Sequence, residues 1–254
     1  MMKRAVSFSS YPLANEGLHH VDREFPTDLG SWVDRGTRLL PTECDTMYGY
    51  VHKGAALLTL RGGPTMMLLP GMYFAAPGPV SVQGMMEDCE GMIAVRRNYR
   101  GVLHVGGPVE TKGRLRYIDG CTDSLLIGPQ RRGEPCLNLL QFPPVIDQTM
   151  HTHPSARAGI VASGRGRCVT PKGDTDLVPG MVFCIHTDGA HKFQTPYKVE
   201  MRVIAFHPDS DFGPTDEDHP MLNRTLVEGT SARNIDAIRT RADVGVEYEF
   251  GTRQ

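Results

Sequence analysis

The sequence predicts an all-β protein of two tandem β-barrels with a short C-terminal helix, and three features carry that expectation. Short apolar runs are broken by turns rich in Gly and Pro, of which the 254 residues hold 28 and 19; many brief strands joined by tight reversals have this composition. One sequence block recurs at a nearly constant offset. A helical apolar period is convincing only near the end of the chain.

The block at 69–74 reads LPGMYF and that at 178–183 reads VPGMVF, placing Pro70 and Pro179 109 residues apart. Upstream of each an apolar run ends in glycine, YVHKG at Gly54 and IVASG at Gly164, 110 residues apart. Offsets that agree to one residue describe a duplicated unit of roughly 90 to 110 residues, a usual size for a small barrel. The expected strands are AALLTL (55–60), TMMLL (65–69), CLNLLQF (136–142), AGIVAS (158–163) and VEMRVIAF (199–206), with turns at RGGP, APGP, RGEP, PKGD and HTDGA between them. The helix is expected in SARNIDAIRTRA, where Ser231 can cap and Ile235 and Ile238 stand at helical spacing. The division that follows is an N-terminal extension (1–34), a first barrel (35–105), a linker (106–125), a second barrel (126–210) and a C-terminal loop and helix (211–254).

Charge and composition narrow the function. Lys plus Arg number 27 against 29 Asp plus Glu, too even a balance for nucleic acid or an anionic membrane to be the partner. No run of about 18 apolar residues is long enough to span a bilayer, and the N-terminus lacks the roughly 7 to 15 apolar residues of a secretory signal, so the expected compartment is the cytoplasm. The six cysteines stand far apart in a chain too long to need cross-links and read as free, buried thiols. Tyr48, Tyr50, Met150, Met201 and Phe206 read as core.

Chemistry concentrates in the second copy. A strand is expected to begin at QTMHTHP (148–154), and on it His151 and His153, two apart, present two imidazoles to one side. His191, 38 residues on, supplies a third from the facing wall. These residues resemble the cupin superfamily, whose first motif is H-x-H, three or four residues, Glu, six residues, Gly, and whose second is Gly, five residues, Pro-x-Gly, two residues, His. His151, His153, Gly164, Gly180 and His191 fit those positions, as do Gly54 and Gly71 in the first copy. The resemblance implies two double-stranded β-helix (jelly-roll) barrels in tandem over roughly residues 35 to 210, the second holding one divalent transition metal on His151, His153 and His191.

Departures from the motif shape the chemistry. Where the family has its glutamate ligand this chain has Arg157, and where it has proline and glycine in the second motif this chain has His186 and Asp188. The first copy carries Pro41, Glu43, Met47 and Val82 at the ligand positions, so no metal is expected there. Three neutral imidazoles leave a divalent charge uncompensated and coordination positions open, which favours an anionic substrate, and Arg157 offers a planar fork to its carboxylate. His186 reads as a turn residue, with support of the ligands from the lumen as the alternative.

Three-histidine sites of this kind resemble cupin dioxygenases, which implies iron(II), with Mn, Zn, Ni and Cu left open, and oxygenation of a small carboxylate. The two-barrel layout with Arg96-Arg97-Asn98-Tyr99 at the joint is also similar to ureidoglycine aminohydrolases. Of their manganese ligands only His153 is kept here, His151 replacing a Glu, Arg157 a His and His191 a Gln. Hydrolysis or isomerisation without redox chemistry, and ligand binding without turnover, stay open as alternatives. Cupin habit further implies a homo-oligomer, a dimer, with 1–34 as an exchange arm. The acidic stretch 207–225 reads as a surface loop placed where a lid to the metal barrel would lie.

Overall fold

The computed structural model describes residues 6–15 and 17–240. Each copy folds into two antiparallel sheets with an apolar filling between them. In the first copy the larger sheet runs, edge to edge, His104–Gly106, Tyr73–Pro77, Thr46–Lys53, Glu90–Arg96, Thr27–Val33 and His19–Asp22, and the smaller runs Thr37–Leu40, Val80–Gly84, Ala56–Leu60 and Thr65–Leu68. In the second copy the larger sheet runs Phe8–Tyr11, Val182–Ile185, Arg157–Gly164, Met201–His207, Cys136–Phe142, Thr122–Ile127 and Leu115–Arg116, and the smaller runs Gly173–Leu177, Gly166–Thr170 and Lys192–Gln194.

The duplication extends to the hydrogen bonds. Val51 N–H donates to Met72 O and Gly71 N–H to Val51 O; Val161 N–H donates to Met181 O and Gly180 N–H to Val161 O. Gly71 and Gly180 turn with φ of +85° and +84°. The PGM block is therefore the same reversal built twice.

Three cores result where two barrels alone would give two. Trp32, Met47, Val51, Leu58, Phe74 and Ile93 fill the first barrel, while Phe142, Val161, Phe183, Phe193 and Val203 pack inside the second. The third core joins the two large sheets, with Tyr48, Tyr50, Met92 and Leu29 from the first copy meeting Leu137, Leu139, Ile160, Ile204 and Phe206 from the second. Successive side chains on a strand point to opposite faces, so a strand between two cores needs apolar residues on both, as in a sheet covered on each side. This is why TMYGYV and VIAF read as unbroken apolar runs.

The N-terminal stretch 1–34 contributes to both sheets. Phe8–Tyr11 pairs with Val182–Ile185 of the same chain's second barrel, and Thr27–Val33 pairs along its length with Glu90–Arg96. Within 106–125, Leu115–Arg116 and the start of Thr122–Ile127 close the edge of the seven-stranded sheet.

The C-terminal expectation needs correction. The short helix is Pro220–Arg224, capped by His219 with proline at its start. Ser231 does cap, accepting from Arg233 N–H, but it opens only the 3₁₀ turn Ala232–Asn234, followed by a second at Asp236–Ile238. With so few apolar residues there is no stripe to hold a longer helix against the body. Residues 241 and 242 of the expected helix lie outside the described residues. Met150, read as core, is 41 % exposed.

Candidate metal centre

The H-x-H pair does not lie on the regular strand expected for it. A bend at Pro154 and Ser155 separates it from Arg157–Gly164, and an isolated bridge holds it instead. His151 and His191 exchange both backbone hydrogen bonds, each 3.0 Å, the hydrogen-bonded antiparallel pair in which two residues stand directly opposite one another. His153 O accepts from Asp188 N–H at 2.8 Å. Asp188, which stands at the glycine of the cupin motif, adopts φ of +56°; a short polar side chain tolerates that left-handed turn.

The ligand nitrogens of His151, His153 and His191 all lie within 4.8 Å of one another, and the ring centroids are 4.4 to 5.2 Å apart. Backbone carbonyls orient two of the rings. His151 Nδ1 is 2.8 Å from Thr149 O and His191 Nδ1 is 2.9 Å from Gly189 O, so each Nδ1 carries the proton and each Nε2 lone pair is left for a metal, the usual outer support of a histidine ligand. Thr149 is held in turn by Asp119, whose carboxylate accepts its backbone N–H at 2.7 Å.

Burial keeps two of the rings, His153 and His191, neutral. Burial first, then the charges of Arg157, His191 and His151, push His153 down to about 3. Burial is also the main cause of the fall of His191 to about 4. An uncharged imidazole is the form that binds a metal. Three convergent imidazole donors, two of them preset by backbone carbonyls, fit one divalent transition ion.

The cluster opens on a cavity of about 110 Å³ inside the second barrel, room for a small organic molecule or several waters. Phe142, Phe183, Phe193 and Val203 form its apolar walls. Ala205 lines it from the large sheet, paired there with Gly159. A Cβ on Gly159 would come within 3.0 Å of the Phe183 ring.

Arg157, the first residue of its strand, lines the same cavity. Its Nη1 donates to Ala156 O at 3.0 Å and to Ser155 Oγ, and lies 3.5 Å from Asp209 Oδ1. Asp209 belongs to the acidic stretch, which is clamped to the loop at 131–134 through Ser210 Oγ to Glu134 O and Gly133 N–H to Ser210 O. This part of the stretch thus braces Arg157. His186 is not at the cavity; its Nε2 meets Ser9 Oγ at 2.8 Å on the N-terminal strand. Only its backbone reaches the site, its carbonyl accepting from Gly189 N–H.

Sequence reasoning missed Asp123, Asn138 and His207, all of which line the cavity. Burial holds His207 well below the usual imidazole range and raises Asp123 to about 6. The available signal was parity. Asn138 interrupts the run CLNLLQF at an inward position, and His207 continues the inward series Val203, Ala205.

In the first copy, Met47 and Val82 occupy two of the ligand positions and are sealed in its apolar core.

The fold is that of the cupin barrels, and the described residues place a three-histidine group that could hold a metal in the second of two. No protein-family model matches the sequence, nor does any curated protein. The structure is similar to protein Ylba from E. coli, at 16 % identity and a TM-score of 0.56 over 84 % of this chain and 97 % of that one. It also resembles a cupin 2 conserved barrel domain protein from Leptotrichia buccalis (11 % identity, TM-score 0.52, 81 % and 91 % covered). Salicylate 1,2-dioxygenase from Pseudaminobacter salicylatoxidans is a third such structure (10 % identity, TM-score 0.53, 71 % and 70 % covered).

Proposed function

We propose that this protein is a metal-dependent oxygenase of a small carboxylate, with one divalent transition ion, iron(II) favoured over Mn, Zn, Ni or Cu, on His151, His153 and His191. One observation carries the reading: three imidazoles share an aromatic-walled cavity with an arginine whose Nε has no partner within the protein. The metal, when bound, supplies open coordination positions and one-electron chemistry toward dioxygen. Arg157 fixes the substrate carboxylate, and Asp209 and Ser155 fix Arg157. Phe142, Phe183 and Phe193 keep bulk water from the reacting group. The salicylate 1,2-dioxygenase whose fold this chain shares supports the reading by its activity.

A non-redox alternative, metal-assisted hydrolysis or isomerisation, has its own support in Asp123. A cavity carboxyl raised to about 6 can give and take protons near neutrality. Binding without turnover is the third possibility. No helix among the described residues is long and apolar enough to cross a membrane, and we place the enzyme in the cytoplasm as a homodimer, which its mass in solution checks.

Elemental analysis of untagged protein, paired with oxygen uptake on a panel of small acids, tests the proposal. Stoichiometric iron and acid-dependent uptake are expected, both lost in His153→Ala. Zinc or manganese with no uptake moves the assignment to the non-redox reading. Tight acid binding without product leaves a ligand-binding protein.

A further inference from the structure

Among the described residues, four buried side-chain atoms have no partner within the protein, and three of them line this one cavity: Asp123 Oδ1, Asn138 Oδ1 and Arg157 Nε. Buried polar groups are nearly always satisfied. Three exceptions converging on one space mark where a polar guest makes the missing bonds.

Their chemistry describes the guest. Arg157 Nε can only donate, and it asks for an acceptor such as a carboxylate oxygen. Ionised Asp123 can only accept, and Asn138 turns its carbonyl oxygen to the same space. Strand register brings the two acceptors together. Asp123 pairs with Leu140, and Asn138 lies two residues along on the same face, a diagonal neighbour roughly 7–8 Å away and somewhat less between the Cβ atoms. One donor group fits between them. Asn138 in turn pairs with Ala205, which pairs with Gly159; Arg157 lies two residues along its strand from Gly159 and lines the same cavity.

We infer that the substrate is a small acid bearing a hydroxyl or amino group, its carboxylate on Arg157 and its donor between Asp123 and Asn138. This rests on the cavity being the substrate site, as proposed above. The three phenylalanines make an aromatic acid the fitting probe.

Calorimetric binding of benzoate and its 3- and 4-hydroxy and 3- and 4-amino derivatives, measured anaerobically on the metal-loaded protein, tests it. Donors at these ring positions cannot chelate a metal together with the carboxylate, so any gain they bring comes from the protein. At least one derivative is expected to bind tenfold or more tightly than benzoate. In Asp123→Leu and Asn138→Leu that advantage should shrink to threefold or less, with benzoate affinity and metal content unchanged. Neither variant should melt lower than wild type in the absence of ligand, because each replaces an unsatisfied polar group by an apolar one of similar size.

A donor preference that persists in both variants, or is missing from the wild type, overturns the inference. So does a loss of 5 °C or more in melting temperature with metal intact, since these side chains would then serve the fold. If benzoate binds in an Arg157-dependent way without any donor preference, only this inference fails. If no acid binds and Arg157→Leu changes nothing, the substrate-site reading fails with it.

Discussion

His153 and His191, depressed to about 3 and about 4 chiefly by burial, and His207, held far below its ordinary value, are neutral in the fold. They leave a pH signature in the metal-free protein. Between pH 6.5 and about 4 the unfolded chain takes up protons on these imidazoles that the folded chain refuses, so stability falls as pH falls. Asp123, raised to about 6, works the other way between about 4 and 6, one group against three. Melting temperatures of metal-free protein should therefore drop on acidification from pH 7 to 5; a flat or rising profile would contradict the neutral-cluster picture. At this scale the three-histidine cluster was legible, because H-x-H and a distant histidine at motif spacing need no neighbours to be read. Asn138 and His207 were not, since an inward polar residue is recognisable only once the facing wall is known.

At the scale of elements, both copies rely on a glycine that ends an apolar strand in a left-handed turn. At Gly164 φ is +71°, and an added Cβ would overlap the Glu200 carbonyl. Gly164→Ala is expected to cost about 1–3 kcal/mol of stability, seen as a shifted denaturant midpoint, with the metal site intact if the remaining chain holds register. A midpoint within experimental error of wild type would show that the turn relaxes at no cost. The repeated PGM reversal was readable for the same reason: a positive φ selects glycine whatever surrounds it. The H-x-H segment is the opposite case. Its extended form comes from a single bridge to His191 and from Pro154, and periodicity alone made it look like the start of a strand. The late helix failed similarly, since Ser231 and two isoleucines satisfy the local rules while no packed face extends the turn.

For the whole molecule, the decisive feature is the core shared by the two large sheets. Phe206 is fully buried there, its ring 4.8 Å from that of Tyr48 in the other barrel. Truncating such a side chain costs about 3–5 kcal/mol, and with a shared core that loss belongs to both barrels. Trp32, the one tryptophan in the chain, is buried in the first barrel and reports on it alone. In Phe206→Ala, the fluorescence midpoint of Trp32 should fall together with the far-ultraviolet circular dichroism midpoint. A Trp32 transition left at its wild-type position would mean that the barrels unfold independently.

From the chain alone came the all-β class, the duplication, the copy that carries the histidine cluster, and the three imidazoles with Arg157. Each of these rests on residue identity and spacing, which are local and survive without knowledge of what lies opposite. Tertiary structure decided the rest: the sheet-to-sheet core, the bracing of Arg157 by Asp209, the turning of His186 toward Ser9, and the unpaired oxygens of Asp123 and Asn138. Those depend on which distant segments are brought face to face, and strand alternation specifies only that a side chain points inward, never what it meets there.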